Sequence, residues 1–181
     1  MPDIIRHKKV IAVEGKDEVE FFRALFRYIE ITDIEIYNVR GKEQFKTKLP
    51  ALVRMPGFSD VEAFAVIRDA DKNANAAFQS ISGTLRKQHL ESPNQMNQFS
   101  EGKPKIGIFI MPGNSDEGML EDLCLKTVQS HLAMKCVDAF SDCVSKLEIP
   151  PRNMSKAKAQ AFLAAMPEIT NSVGIGAHKG Y

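Results

Sequence analysis

Short apolar runs alternate along the chain with stretches whose apolar residues recur every three or four positions. The segment 9–13 is continuous in Val, Ile and Ala and stops at Glu14-Gly15, the pattern of a parallel strand buried on both faces. From about Asp17, Val19, Phe22, Leu25, Phe26 and Ile29 share one helical face. A second strand is predicted over 34–39, closed by Arg40-Gly41. A helix is predicted from about Lys42 to Arg54, with Phe45, Leu49, Leu52 and Val53 inward and Pro56-Gly57 as its stop. The third strand, 63–67, runs into Arg68-Asp69-Ala70-Asp71. The next helix spans about 73–90, with Phe78, Ile81 and Leu85 inward. Residues 92–103 are rich in Asn, Gln, Ser and Pro and read as an exposed loop. The fourth strand is 105–111, stopped by Pro112-Gly113.

The remainder reads as helical. One short helix covers 119–128. A longer one covers 130–147, with Leu132, Cys136, Phe140, Val144 and Leu147 in register. A last helix runs from Ser155 to about Met166, and the glycine-containing tail 170–181 has no period. The order βαβαβαβ implies right-handed crossovers and a four-stranded parallel α/β sheet covered by helices on both faces. The expected organisation is an α/β domain at 1–128 and a helical extension at 129–181 packed on it.

Asp69 and Asp71 stand two apart at a strand end, so in extended chain they point to one side. Glu14 closes another parallel strand, and all parallel strands end on the same sheet edge, where such folds bind ligands. Carboxylates brought together there raise one another's pKa, and a hard divalent cation relieves the repulsion. Acids at strand ends also cap helices and complement helix dipoles. The ordered pair of motifs after two apolar strands favours a metal site and phosphoryl chemistry.

At these residues the sequence resembles the Toprim domain of topoisomerases, primases and overcoming-lysogenization-defect (OLD) nucleases. Val13-Glu14-Gly15-Lys16-Asp17-Glu18 is similar to its glutamate motif and Asp69-Ala70-Asp71 to its Asp-x-Asp motif. Residues 67–73, and Met111-Pro112 followed by 118–123, resemble more narrowly a stand-alone Toprim family of unknown function. The resemblance implies a Rossmann-like Toprim fold and a Mg²⁺ site, with Mn²⁺ as a substitute. It assigns Glu14 as general acid or base and Asp69 with Asp71 as metal ligands, and the three acids together are the expected holders of Mg²⁺. Glu18 is a candidate for holding a second metal. Topoisomerases add a tyrosine nucleophile in another domain and primases add template- and nucleotide-handling domains, neither visible in this sequence; OLD proteins add an ATPase, and no Gly-x-x-x-x-Gly-Lys-Ser/Thr loop occurs here.

Among Asp116, Glu117, Glu121 and Asp122, Glu121 is the candidate for reaching the metal; acids starting a helix are the plainer reading. Lys16, Gly41 and Lys42 are candidate phosphate contacts, the last two at a helix start. Arg40, Lys42, Lys46, Lys48 and Arg54 form a basic cluster that a solvated face also explains.

Net charge is +1, from 24 Lys plus Arg against 23 Asp plus Glu. A nucleic-acid partner, DNA or RNA, therefore needs a local patch or a metal. The three cysteines, Cys124, Cys136 and Cys143, form no Cys-x-x-Cys pair and fit helix interiors in a reducing compartment. No membrane-spanning run or apolar leader is present in the sequence, so a cytoplasmic setting is expected. The expected function is Mg²⁺-dependent, nuclease-like cleavage of phosphodiesters. The alternatives are a non-catalytic, metal-dependent nucleotide or nucleic-acid binding module, or a subunit awaiting an ATPase or other protein partner.

Overall fold

A computed structural model describes residues 4–113 and 117–181. Four parallel strands form one sheet in the order β2-β1-β3-β4. They are β1 (Lys9–Val13), β2 (Ile34–Asn38), β3 (Ala63–Asp69) and β4 (Lys105–Met111). The helices are α1 (Lys16–Tyr28), α2 (Phe45–Val53), α3 (Ala74–Arg86), α4 (Leu120–Thr127), α5 (Met134–Val144), α6 (Met154–Ala164) and α7 (Val173–His178). The Rossmann-like α/β sheet expected from the apolar runs is present.

Alternation explains why these runs are continuous rather than amphipathic. Val10, Ala12, Phe64, Val66, Ile106, Ile108 and Ile110 enter one core with α2 and α3. Their neighbours Ile11, Val13, Ile67 and Met111 enter a second core with α1 and the C-terminal helices. Both faces of β1, β3 and β4 are therefore largely apolar, as a sheet covered on both sides requires, while the edge strand β2 also carries Glu35 and Asn38. Phe45, Phe64, Leu49 and Ile81 are fully buried; truncating such a side chain to Ala costs about 2–5 kcal/mol.

The chain leaves β1 for β2 on one side and for β3 on the other. That reversal makes a topological switch point between β1 and β3, the place in open α/β sheets where ligands bind at the carboxyl ends. Glu14 and Asp69 lie at that edge.

Four segments depart from the reading of the sequence. Residues 92–103, expected as an exposed loop, are irregular and mostly exposed, but their 97–100 stretch lies antiparallel along the outer edge of β4. Asn97 N–H donates to Ile108 O (3.1 Å), Ser100 N–H donates to Ile106 O (2.9 Å), and Ser92 and Ser100 are buried. The segment so covers an edge that would otherwise be free to pair with another chain.

The helix predicted over 130–147 is shorter and rotated. Leu132 is 81% exposed and Leu147 54%, Cys136 and Cys143 are exposed, and Met134, Val137 and Ser141 face inward. Both stripes fit a 3.6-residue period; packing against α6 selects the second. Of the three cysteines only Cys124 is substantially covered, and burial pushes its thiol up to about 12.

Asn153, not Ser155, caps α6, its Oδ1 accepting from Lys156 N–H at 2.9 Å. Finally, the tail contains α7, capped by Ser172. A Cβ on Gly174 would stand 2.7 Å from Asp17 O and 2.8 Å from Glu20 Cβ. Bare backbone is what lets α7 lie against α1, and a helix packed through glycine leaves no hydrophobic period to read.

Candidate metal centre at the carboxyl edge

Glu14 follows β1 directly. Two residues past the last β1–β3 pair, Ala12 with Val66, the register sets Glu14 beside Arg68. Glu14 accepts a hydrogen bond from the Asp69 backbone N–H, yet its Oε2 is buried with no partner among the described residues. Burial raises its pKa, Glu18 and Asp71 raise it further, and Arg68 opposes them.

Asp69 ends β3. Its Oδ1 accepts from Leu120 N–H, at the first turn of α4, at 3.1 Å. That bond and the positive end of α4 favour the ionised carboxylate. Burial outweighs them: together with Glu14, Glu18 and Glu121 it pushes Asp69 up to about 8.

Glu18 is buried, at 9% exposure, and not a solvated charge on the first helical turn. Its carboxylate folds back over Gly15, where a Cβ would stand 2.8 Å from Oε2, and accepts from the Gly15 backbone. This is the reciprocal half of a capping box, in which a third-position Glu satisfies the N-cap N–H. Burial is the largest cause of its raised pKa, with Asp17 and Glu121 adding to it. Glu121 is 8% exposed, with Lys156 Nζ 3.8 Å away. Its neighbour Asp122 is structural: Oδ2 accepts from Met119 N–H (2.9 Å) and Oδ1 from Ser155 Oγ (2.6 Å). Glu117 is exposed, and Asp116 lies outside the described residues.

Asp71 behaves differently from Asp69. The strand ends at Asp69, and Asp71 has φ 52° in the left-handed region, so extended alternation does not carry the first carboxylate's direction to the second. Paired backbone bonds tie Asp71 to Gly118, each N–H donating to the other's carbonyl at 2.9 Å. The Asp71 side chain takes Lys42 Nζ at 2.9 Å. Lys42, a candidate phosphate contact, is therefore engaged with a carboxylate. The Gly41 N–H, the other helix-start candidate, donates to Glu14 O at 2.8 Å. Lys16 is exposed at the start of α1.

Glu14, Glu18 and Glu121 thus all act on the Asp69 carboxyl, Glu18 and Glu121 buried and Glu14 and Asp69 half-buried, with Asp71 and Lys42 at the rim. Among the described residues, no three acidic, imidazole or thiol side chains stand close enough together to chelate an ion as they are placed. Oxygen-only donors, an orphaned buried carboxylate oxygen and a carboxyl raised by its neighbours nevertheless suit a hard cation in chemistry and in charge.

A family model described as "Protein of unknown function (DUF3226)" matches residues 8–180. The chain belongs to the DUF3226 family. No curated protein matches it. Among solved structures, this DUF3226 chain is similar to the C-terminal region of the Burkholderia pseudomallei OLD protein. The TM-score is 0.49 at 16% identity, over 97% of this chain and 88% of that one. It is also similar to the C-terminal region of the Xanthomonas campestris pv. campestris OLD protein. There the TM-score is 0.44 at 14% identity, over 97% and 94% of the two chains.

One residue of the DUF3226 chain joins the site without a motif to announce it. Arg68 lies with its Cζ 5.8 Å from the Phe45 ring centroid, its Nε is buried without a partner among the described residues, and its charge acts on Glu14. The available signal was its place: a cation at the end of a strand buried on both faces is expensive unless it meets an anion. Among the described residues no helix is long and apolar enough to cross a membrane.

Proposed function

We propose that the carboxyl edge is a Toprim-type divalent-cation centre for phosphodiester chemistry on nucleic acid, nuclease-like in kind. The observation that carries this reading is the pairing of orphans. Glu14 Oε2 and Arg68 Nε are both buried, both without a hydrogen-bond partner among the described residues, and electrostatically coupled. An unsatisfied buried polar atom costs roughly 1–3 kcal/mol. A ligand with both signs, a cation and a phosphate, would satisfy the two together.

Asp69 and Asp71 would hold the cation, with Glu18 and Glu121 as further oxygen donors. Mg²⁺, or Mn²⁺ in its place, supplies charge neutralisation and polarisation of a phosphorus–oxygen bond when bound. Glu14 is suited to proton handling because its raised pKa brings it nearer neutrality, where a group can both take and return a proton. Arg68 would face charge building on phosphate oxygens from the sheet side. The core helices exclude water behind the carboxylates, which strengthens each of these interactions.

The test is incubation of the purified chain with single-stranded DNA, duplex DNA and RNA in Mg²⁺ and in Mn²⁺. Cleavage that Asp69→Asn abolishes supports the reading. No cleavage in either metal, with no change in melting temperature on adding either, overturns it.

A second reading is favoured by the Lys42–Asp71 ion pair and by carboxylates that stand apart from chelating distance. In it the edge binds a metal–nucleotide or a nucleic-acid end without turnover, alone or as the subunit of an ATPase. Metal-dependent binding by calorimetry, without product, is its signature.

A further inference from the structure

A cleft of ≈ 750 Å³ opens between α1 and the edge strand β2, and its floor reaches Gly15, the residue after Glu14. Lys16 and Arg23 on α1 and Arg40 beyond β2 line it, with Glu20 as its one acid. Glu20 is already matched: Oε1 meets Arg23 Nη1 at 2.8 Å and Oε2 meets His178 Nε2 at 3.0 Å. Lys16 and Arg40 are exposed and form no ion pair among the described residues. In a chain of net charge +1 this is a local concentration of uncompensated positive charge.

Arg40 is held there at some expense. Its φ is 69°, a left-handed conformation that a non-glycine residue rarely adopts unless its surroundings impose it. The strain is fixed from both sides: Asn38 Oδ1 accepts the Arg40 N–H at 2.8 Å, and the next N–H, of Gly41, donates to Glu14 O at 2.8 Å. The backbone that turns Arg40 into the cleft is therefore the backbone that positions Glu14.

We infer that the α1–β2 cleft is a groove for the phosphate backbone of a single nucleic-acid strand, leading that strand to Glu14. The volume lies in the range that encloses small ligands, roughly 300–1,000 Å³, so it admits a nucleotide or two of one strand and no duplex. Val19 and Ile36 give it an apolar wall, but Tyr37 is only 4% exposed, so no open aromatic face is offered to a base. Recognition falls on phosphates and is tolerant of sequence. This inference rests on the phosphodiester reading for its direction, while the groove itself is tested without metal.

The experiment measures fluorescence anisotropy of a labelled oligothymidylate, roughly ten nucleotides long, in EDTA at several salt concentrations. Wild type binds, and the logarithm of affinity falls with the logarithm of salt. Lys16→Gln and Arg40→Gln each reduce that slope by about 0.7, one single-strand phosphate contact apiece. Lys87→Gln, on another face of the molecule, leaves it unchanged. Melting curves establish that each variant is folded, and Lys16→Gln carries the test if Arg40→Gln is not.

Absence of binding in EDTA, or unaltered slopes in folded Lys16→Gln and Arg40→Gln, overturns the groove. Displacement by thymidine monophosphate at equal phosphate concentration overturns the strand in favour of a free nucleotide. Metal-dependent cleavage by wild type alongside unaltered slopes removes the groove alone. Groove-dependent slopes without cleavage remove the catalytic reading alone.

Discussion

Lys42 Nζ stands 2.9 Å from Asp71 Oδ2, so the outer aspartate of the acidic edge carries a counter-ion supplied by the chain itself. The two side chains are 44% and 35% exposed, and an ion pair so placed contributes only about 0.2–1 kcal/mol. Lys42→Met is expected to leave the urea midpoint nearly unchanged. It should tighten Mg²⁺ binding severalfold, because the ammonium no longer competes for Asp71. Calorimetric titration decides this; weaker Mg²⁺ binding in the variant would show that Lys42 assists the cation.

Among the described residues Asp69 forms no such ion pair. Asp69→Asn keeps an oxygen to accept the Leu120 N–H while removing a charge from among Glu14, Glu18 and Glu121. The metal-free variant should melt higher than wild type at pH 8 and show no further rise with Mg²⁺. For wild type, a ligand at a hundred times its Kd adds about 2.7 kcal/mol. Differential scanning fluorimetry with and without Mg²⁺ reads both effects, and a destabilised metal-free variant would count against the crowding.

The same carboxyl sets a pH dependence. Its folded value, about 8, lies above its ordinary 3.8, so between those limits the folded chain holds a proton that the unfolded chain has released. Stability of the metal-free protein therefore falls as pH rises through that window and levels off above it. The decline is at most about 1.4 kcal/mol per pH unit for one such group. Glu14 and Glu18, also raised, act in the same direction. Saturating Mg²⁺ should flatten the decline by favouring the ionised forms. Urea melts at pH 5, 6, 7 and 8 in EDTA measure it; stability that rises with pH in Asp69→Asn and wild type alike would contradict it.

Two glycines should respond oppositely to the same substitution. Gly174→Ala drives a Cβ into the α1 backbone at Asp17 O, and overpacking of this kind costs about 1–3 kcal/mol. Gly83, inside α3, has nothing within 4 Å of the new atom, so Gly83→Ala should stabilise by about 0.5–1 kcal/mol through helix propensity. Chemical denaturation of both variants tests the packing of α7 on α1; equal effects would show that α7 is not docked there.

The apolar runs by themselves determined the sheet. Largely continuous apolar runs at 9–13, 63–67 and 105–111 suited a parallel strand covered on both faces, and polar or Pro-Gly stops marked where each one ends. Those stops located Glu14 and Asp69, because a strand's end is a local property of the chain. What surrounds an end is not local. The order β2-β1-β3-β4 set Glu14 beside Arg68 and Asp69, and the docking of α4 brought Glu121 in and engaged Asp122 elsewhere. Two equally periodic stripes on α5 and a glycine-packed α7 were resolved only by their neighbours. Periodicity records which residues can be buried together; tertiary packing chooses which are, and that choice sets burial and hence the charge state of every carboxylate at the edge.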